Sequence, residues 1–213
     1  MEIFTNLNAF IWQDYHENNC NTYFIDGEKG ILIDPGHQHL IEHVERGLYT
    51  IQKTLDDINV VIITHGHPDH MESIGRFKKP TLWGMNEKEF QFIRKLAGSH
   101  IKIPEPDFFL DTGQLLIGDQ QFNVLVTPGH SPASICLYWP AKKALFTGDV
   151  IFFQGIGRTD LPGGDGSLLK RSIMELSELD VEYVLPGHGE IISGKKAVQK
   201  NFKGIMEYWF NYI

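Results

Sequence analysis

The chain has little of three features that would each point to a particular class of protein. Only two of its 213 residues are cysteines, Cys20 and Cys136, and no CxxC pair occurs, which argues against a disulfide framework and against a thiolate zinc site. No window approaches about 18 consecutive apolar residues, so no transmembrane helix is expected. Residues 1–8 do not show a basic segment followed by an apolar one. No signal peptide is therefore predicted, and the cytoplasm is the expected compartment.

A surplus of positive charge is also missing. Lysine and arginine number 19 against 27 aspartate and glutamate residues, which gives a formal net charge of −8. Binding to nucleic acid without regard to sequence needs a basic face, so nucleic acid is not an expected partner. With 42% hydrophobic and 22% charged residues, the composition is that of a soluble globular protein. A chain of this length is predicted to form a single domain over residues 1–213.

The pattern of apolar residues predicts an α/β protein. In the first half it predicts an antiparallel meander of three strands, a helix from Leu40 to Leu55, a buried strand over Val60–Ile63 and a helix from Asn86 to Gly98. Residues 99–111 are predicted to form a loop. The second half repeats the scheme, with strands near residues 121–126, 134–139, 144–147 and 182–185, a helix capped by Ser167 and a C-terminal helix over residues 195–212. Two mixed sheets packed face to face, with helices outside, satisfy this pattern.

A dense group of polar residues follows the predicted buried strand directly. The segment Thr64-His65-Gly66-His67-Pro68-Asp69-His70 holds three of the ten histidines of the chain. A strand end fixes the backbone, and a turn stiffened by Pro68 can then direct several side chains to one point. Imidazole nitrogens and carboxylate oxygens are ligands of zinc and of harder divalent metals. The segment therefore predicts a metal site.

Three other predicted strands end in the same way. Each is followed by a Gly or Pro turn and one residue that can bind a metal, which is His130 in TPGH, Asp149 in TGD and His188 in PGHG. A single histidine of this kind is more often structural, but four such strand ends in one chain favour one shared metal centre.

The motifs THGHPDH, TPGH, FTGD and LPGHGE together resemble the metallo-β-lactamase fold superfamily, over nearly the whole chain. The resemblance implies a four-layer αβ/βα sandwich with two mixed β-sheets flanked by helices. It implies two divalent metal ions, with zinc favoured and iron or manganese left open by the ligand set. His65, His67 and His130 would bind the first metal, Asp69, His70 and His188 the second, and Asp149 would bridge them. Asp34 matches a further motif, whose residue supports the site without binding metal.

A binuclear centre of this kind implies hydrolysis. A hydroxide held between two metals near neutral pH would attack a carbonyl carbon, and the metals would stabilise the developing oxyanion. Asp69 is assigned a further catalytic role, in which it orients this nucleophile or moves a proton.

The segment after Asp149 narrows the chemistry to one branch of the superfamily. Gly155-Ile156-Gly157-Arg158 is similar to the glyoxalase II group of hydroxyacylglutathione hydrolases, in which the basic residue contacts the glutathione part of the substrate. Arg158 would then bind a substrate carboxylate, or alternatively only hold its own loop in place. The chain resembles the short, single-domain type of this group. Ala133-Ser134 replaces the usual Gly-His pair, so a thioester other than S-lactoylglutathione, or an ester, stays open as the substrate.

Two rival functions share this fold. Persulfide dioxygenases also carry GRTD followed by a GD pair, and bind one iron through residues equivalent to His65, His130 and Asp149. The intact LPGHGE motif, which keeps His188, favours the hydrolase. A nuclease is disfavoured because of the acidic charge balance. The expected partner is a small-molecule substrate, without nucleic acid or membrane. The apolar face of the C-terminal helix favours packing in the core, and leaves a homodimer contact or a pocket wall open as alternatives. His37 and His39 are expected to be surface or structural residues.

Overall fold

The computed structural model describes residues 1–14, 16–98 and 102–213 and divides the chain into two compact units. The first unit comprises residues 1–110 and 116–120, and the second comprises residues 111–115 and 121–213. Each unit has a hydrophobic core of its own, built around Phe24, Val61 and Phe90 in the first and around Leu145, Ile173 and Val184 in the second. That residues 1–213 form a single domain stays a prediction.

A seven-stranded mixed sheet forms the first unit, and its strands are arranged in chain order. They are β1 (Glu2–Phe4), β2 (Leu7–Phe10), β3 (Thr22–Ile25), β4 (Ile31–Ile33), β5 (Val60–Ile62), β6 (Leu82–Met85) and β7 (Phe108–Phe109). The first four strands are antiparallel, as the predicted meander requires, and β4 to β7 are parallel. β5 is buried along its whole length, because a strand between parallel neighbours is covered on both faces.

The described residues of the first unit form three α-helices, α1 (Glu42–Thr50), α2 (Pro68–Met71) and α3 (Glu87–Ala97). α3 confirms its predicted ends, since the Asn86 side chain accepts hydrogen bonds from two N–H groups of the first turn and Gly98 has a φ of +64°. The helix predicted to reach Leu55 is too long, because α1 stops at Thr50 and Gln52 has a left-handed φ of +58°.

A six-stranded mixed sheet forms most of the second unit, in the order β15-β14-β11-β10-β9-β8. Its strands are β8 (Gly113–Ile117), β9 (Gln120–Val126), β10 (Ile135–Trp139), β11 (Ala144–Gly148), β14 (Tyr183–Pro186) and β15 (Ile192–Ser193). A separate hairpin consists of β12 (Ile151–Phe152) and β13 (Gly155–Ile156), and the helices are α4 (Gly166–Ser177) and α5 (Lys195–Tyr208). β11 and β14 are parallel neighbours, which brings their carboxyl ends to one edge of the sheet.

Three local predictions need correction. α4 is capped by Asp165 and not by Ser167, because the Asp165 carboxylate accepts the Leu168 N–H at 2.9 Å. The C-terminal helix ends at Tyr208 and continues as one 3₁₀ turn. Part of the predicted 99–111 loop is β7, which lies beside β6, and residues 99–101 of that loop lie outside the described residues. None of the helices in the described ranges is long and apolar enough to span a bilayer.

Candidate metal centre

The first group of candidate ligands follows the parallel strands β4 and β5. Ile33 pairs with Ile62, so Asp34 and Thr64 leave neighbouring strands at the same edge of the sheet. Side chains beyond the carboxyl ends of parallel strands converge in this way in open α/β sheets. His65 follows directly and is fully buried. The described first unit thus assembles Asp34, His65, His67, Asp69 and His70 around one sheet edge.

Asp34 links Thr64 and His70 within this group through hydrogen bonds. Its carboxylate accepts the Thr64 N–H at 2.8 Å, the Thr64 hydroxyl at 2.6 Å and His70 Nδ1 at 2.9 Å. Its φ of +53° is left-handed, a conformation that Asp tolerates better than most residues. Because the carboxylate is buried and accepts these three bonds, it can hold both the Thr64-His65 turn and the His70 ring in one orientation.

These contacts select the ring nitrogens that face a metal. His70 Nδ1 donates to Asp34, so Nε2 is the nitrogen that would bind a metal. The Thr64 hydroxyl donates to Asp34 and accepts from His65 Nδ1 at 3.1 Å, which directs His65 Nε2 toward His67 Nδ1 at 3.0 Å. Two nitrogens bound to one tetrahedral zinc lie roughly 3.3 Å apart. The pair His65 and His67 is therefore spaced to share a metal.

Asp69 and His70 lie in the short helix α2. Pro68 occupies the first position of this helix, where its missing N–H costs nothing and its fixed φ favours the turn. Asp69 Oδ2 lies 3.9 Å from His70 Nε2, so both side chains face the same region. The Asn18 amide donates to Asp69 Oδ2 at 2.6 Å and fixes the carboxylate from outside α2.

Sequence reasoning missed two supporting residues, Asn18 and Glu89. Glu89 is buried in α3, and its carboxylate accepts the Gly66 N–H at 3.0 Å. A Cβ on Gly66 would lie 2.1 Å from Ile93 Cγ2, so only glycine permits this approach of the turn to α3. Neither residue carries a local sequence signal for this role, because each contacts the segment from His65 to His70 from a part of the chain that is distant in sequence.

The second group of ligands follows the parallel strands β11 and β14. The Gly187 N–H donates to the Gly148 carbonyl at 2.7 Å and ties the two strand ends together. Asp149 and His188 leave these ends, and His130 reaches them from the turn before β10. His130 Nε2 lies 3.5 Å and His188 Nε2 lies 3.4 Å from the same oxygen, Oδ2 of Asp149. One carboxylate oxygen is therefore close to two imidazole nitrogens.

The loop after β13 fixes the His130 ring. His130 Nδ1 donates to the Arg158 carbonyl at 2.9 Å, which leaves Nε2 as the metal-facing nitrogen. A Cβ on Gly157 would lie 1.8 Å from the Asp149 carbonyl oxygen and 2.9 Å from His130 Nδ1. The second glycine of the Gly155-Ile156-Gly157 motif is thus required by backbone packing, whereas a Cβ on Gly155 would meet nothing closer than 3.7 Å.

The Arg158 side chain forms a bidentate pair on the protein surface. Its Nε and Nη2 donate to the Asp160 carboxylate at 2.8 and 2.7 Å, and both side chains are more than half exposed. This hydrogen bonding lowers the pKa of Asp160 to about 2. Arg158 thus has its fork of donors already occupied by a carboxylate.

The donor chemistry of both units fits a borderline or hard divalent cation. It consists of imidazole nitrogens and carboxylate oxygens, which zinc, iron and manganese all accept. Thiolate is not part of it, since both cysteines are buried and burial raises the pKa of Cys136 to about 12. The rings of His65, His70 and His130 are each oriented by a second hydrogen bond, as is usual for metal-binding histidines.

Comparison with known proteins gives concordant results. The sequence profile of the metallo-β-lactamase superfamily matches residues 17–188. The hydroxyacylglutathione hydrolase GloC of Haemophilus influenzae is 34% identical over 187 residues, which cover 81% of this chain and 86% of that protein. The crystal structure of TTHA1623 in a di-iron-bound form has a TM-score of 0.70 at 29% identity, covering 85% of this chain and 91% of that chain.

The fold comparison confirms the predicted class, two mixed sheets flanked by helices. A metallo-β-lactamase family protein from Thermus thermophilus matches with a TM-score of 0.80, covering 98% of this chain and 80% of that chain. At 19% identity this likeness concerns the fold alone. The superfamily profile and the identity to GloC both cover most of the chain. They therefore show that the chain belongs to the metallo-β-lactamase superfamily.

Proposed function

We propose that this chain is a binuclear metal-dependent hydrolase of a thioester such as S-lactoylglutathione. The proposed ligands are His65, His67 and His130 for the first metal, Asp69, His70 and His188 for the second, and Asp149 as the bridge. The superfamily membership and the similarity to GloC support the hydrolase and the thioester.

The main observation that supports this proposal concerns the surroundings of Asp149 Oδ2. Its two imidazole neighbours, at 3.5 and 3.4 Å, are His130 and His188, which are assigned to different metals. A bridging position requires a carboxylate oxygen that is close to one proposed ligand of each metal. A one-iron dioxygenase would use His130 and Asp149 but has no need of His188 on the same oxygen. The binuclear hydrolase is therefore the better supported function.

When bound, two divalent metal ions would lower the pKa of a water and supply positive charge for a developing oxyanion. Zinc is the metal we propose, and iron is the alternative to test because TTHA1623 is known in a di-iron-bound form. The residues of this chain supply the orientation. Asp34 holds His70 and, through Thr64, His65, while the Arg158 carbonyl holds His130.

Asp69 is proposed to act on the nucleophile as well as to bind metal. Its Oδ2 is fixed by Asn18, so its other oxygen can orient a water or accept a proton in a constant geometry. We expect Asp69→Asn to lower kcat by about 10²-fold, the lower end of the usual contribution of a general base. The measurement compares kcat at equal metal content, and Asn18→Ser serves as a control with a smaller loss. An unchanged kcat with both metals retained contradicts the role.

We propose that Arg158 releases the Asp160 carboxylate and binds a carboxylate of the substrate in its place. Asp160 competes for the same donors, so Asp160→Asn should lower KM for an anionic thioester with kcat unchanged. Arg158→Lys should raise KM, because an ammonium group cannot form the bidentate pair. A neutral ester is the control substrate, for which neither variant should change KM. Equal KM changes for the neutral and the anionic substrate contradict the proposal and favour a role in holding the loop.

The decisive experiment measures metal content and activity on the same preparation. Metal per chain is counted, and hydrolysis of S-lactoylglutathione is measured beside oxygen uptake with glutathione persulfide. Two metals per chain with thiol release support the proposed function. One iron per chain with oxygen consumption overturns it in favour of the dioxygenase. Two metals with hydrolysis of other thioesters but not of S-lactoylglutathione retain the hydrolase and correct its substrate.

A further inference from the structure

A second group of potential metal ligands lies in the first unit, outside the proposed centre. It consists of His37, His39 and Glu72, each of which offers one ligand atom within 4.8 Å of the others. His37 Nδ1 lies 2.9 Å and His39 Nδ1 lies 4.0 Å from Glu72 Oε2. The two imidazole rings are 5.1 Å apart. The two nitrogen-to-oxygen separations bracket the roughly 3.3 Å expected between two ligands of one tetrahedral zinc.

The backbone holds this group in place. The Gly36 N–H donates to the His70 carbonyl at 3.1 Å, and the Ser73 N–H donates back to the Gly36 carbonyl at 2.9 Å. The segment that carries His37 is therefore tied to the segment that carries Glu72. The buried Asn19 side chain accepts the His37 N–H at 2.9 Å, which anchors the turn from a third direction. The ligand atoms thus belong to a preformed arrangement.

Glu17 completes the arrangement from outside. It lies 2.6 Å from His39 Nε2, so that this nitrogen donates to a carboxylate while Nδ1 faces Glu72. A histidine that binds a metal through one nitrogen almost always donates its other N–H to a carboxylate, a carbonyl or a water. The tautomer of His39 is therefore the one that a metal at Nδ1 needs. Two ordinary ion pairs, His37 with Glu72 and His39 with Glu17, are the competing explanation.

We infer that His37, His39 and Glu72 form an additional, partly exposed site for a zinc-like divalent cation, with Glu17 as the outer carboxylate of His39. Nitrogen and carboxylate donors suit zinc, nickel and copper. Three protein ligands at the surface leave a coordination position for water. This site is independent of the proposed function, since none of its ligands belongs to the proposed centre. It would bind more weakly than that centre because His39 and Glu72 are about half exposed.

The occupied site would connect two segments that serve the proposed centre. His37 follows Asp34 by three positions, and Glu72 follows His70 by two. A cation held by both segments would reinforce the link that the Gly36 and Ser73 hydrogen bonds already form. Zinc in excess should therefore stabilise the first unit through this site.

The test compares zinc binding to the metal-free full chain and to its variants by calorimetric titration. Wild type should bind one more zinc per chain than His39→Gln, whatever number the proposed centre holds. Glu17→Gln should keep the additional zinc but bind it about tenfold more weakly, as loss of an outer partner predicts. The matched control is His43→Gln, which removes a histidine of the same unit that bonds to the Phe10 carbonyl and packs against the Trp12 ring. That variant should bind as wild type does.

Measuring hydrolysis beside zinc binding distinguishes a failure of this inference from a failure of the proposed function. His39→Gln should retain wild-type hydrolysis at buffered zinc, because His39 belongs to neither ligand group. If wild type, His39→Gln and Glu17→Gln bind the same number of zinc ions with the same affinities, the additional site is overturned and the residues form ion pairs only. Thermal unfolding of each metal-free variant checks that it is folded. Should His39→Gln fail this check, the affinity change of Glu17→Gln decides the question alone.

Discussion

Asp149→Asn is expected to lower kcat by at least about 10³-fold and to remove one metal from each chain. A bound metal contributes several kcal/mol of charge stabilisation in the transition state, and each 1.36 kcal/mol is worth about a factor of ten in rate. The neutral amide of Asn cannot offer two metals a shared anionic oxygen. His130 and His188 would then face each other across a group without negative charge, and the second metal would bind poorly.

Metal content and turnover should be measured on the same sample of this variant. Asp180→Asn is the matched control, because it removes a carboxylate from the same unit whose ion pairs are with Lys143 and Lys195 at the surface. The control should retain both metals and wild-type kcat. A variant at position 149 that keeps two metals and loses less than about tenfold in kcat would show that the carboxylate does not bridge them.

Asp34→Ala is expected to lower the free energy of unfolding of the metal-free protein by about 3–5 kcal/mol. The substitution leaves three buried donors without an acceptor, and each such loss costs about 1–3 kcal/mol. Alanine also tolerates the φ of +53° less well than aspartate does. Metal affinity should fall by about 10- to 100-fold as well, because His65 and His70 lose the contact that orients them.

Urea denaturation of the metal-free protein gives the first quantity, and competition with a chelator gives the second. Asp34→Asn is the matched control, since asparagine keeps the shape and the left-handed backbone but has one acceptor oxygen instead of two. It should lie between wild type and Asp34→Ala in both measurements. A loss of less than about 1 kcal/mol for Asp34→Ala would mean that water replaces the carboxylate and that Asp34 does not support the site.

The substitutions at Asp149 and Asp34 are expected to change different measured properties. Asp149→Asn is expected to change metal content and rate, and to leave the metal-free fold nearly as stable. Asp34→Ala is expected to destabilise the fold of the first unit, and to weaken metal binding only through His65 and His70. The ratio of stability loss to rate loss therefore distinguishes a ligand from a residue that holds ligands in place.

Local signals in the sequence were sufficient for several elements. Val60–Ile62 forms a buried strand because a short β-branched run suits a position between parallel neighbours. α3 lies between Asn86 and Gly98, since both caps are set by side-chain and backbone chemistry at single residues. The candidate ligands could be listed for the same reason: each follows a strand and a turn within a few positions.

Other elements could not be predicted from the local sequence pattern. β7, β8 and β15 are short or largely exposed, and their place is set by the strand beside them. The sequence predicts Ser167 as the cap of α4, whereas the helix begins earlier and is capped by Asp165. α1 ended before its predicted limit because the chain turns at Gln52. In each case the decision depends on backbone geometry that neighbouring elements impose.

The sequence by itself determined which residue types can bind metal, and that they follow strand ends. Only the tertiary structure decided which nitrogens of His70 and His130 would face a metal, because that depends on partners far along the chain. Asp34 and His70 are 36 positions apart, and His130 and Arg158 are 28 apart. It also decided that Arg158 is held by Asp160, and that His37 and His39 meet Glu72. Hydrogen bonds depend on distances of about 3 Å and on direction, and only the pairing of strands and the packing of turns supplies these.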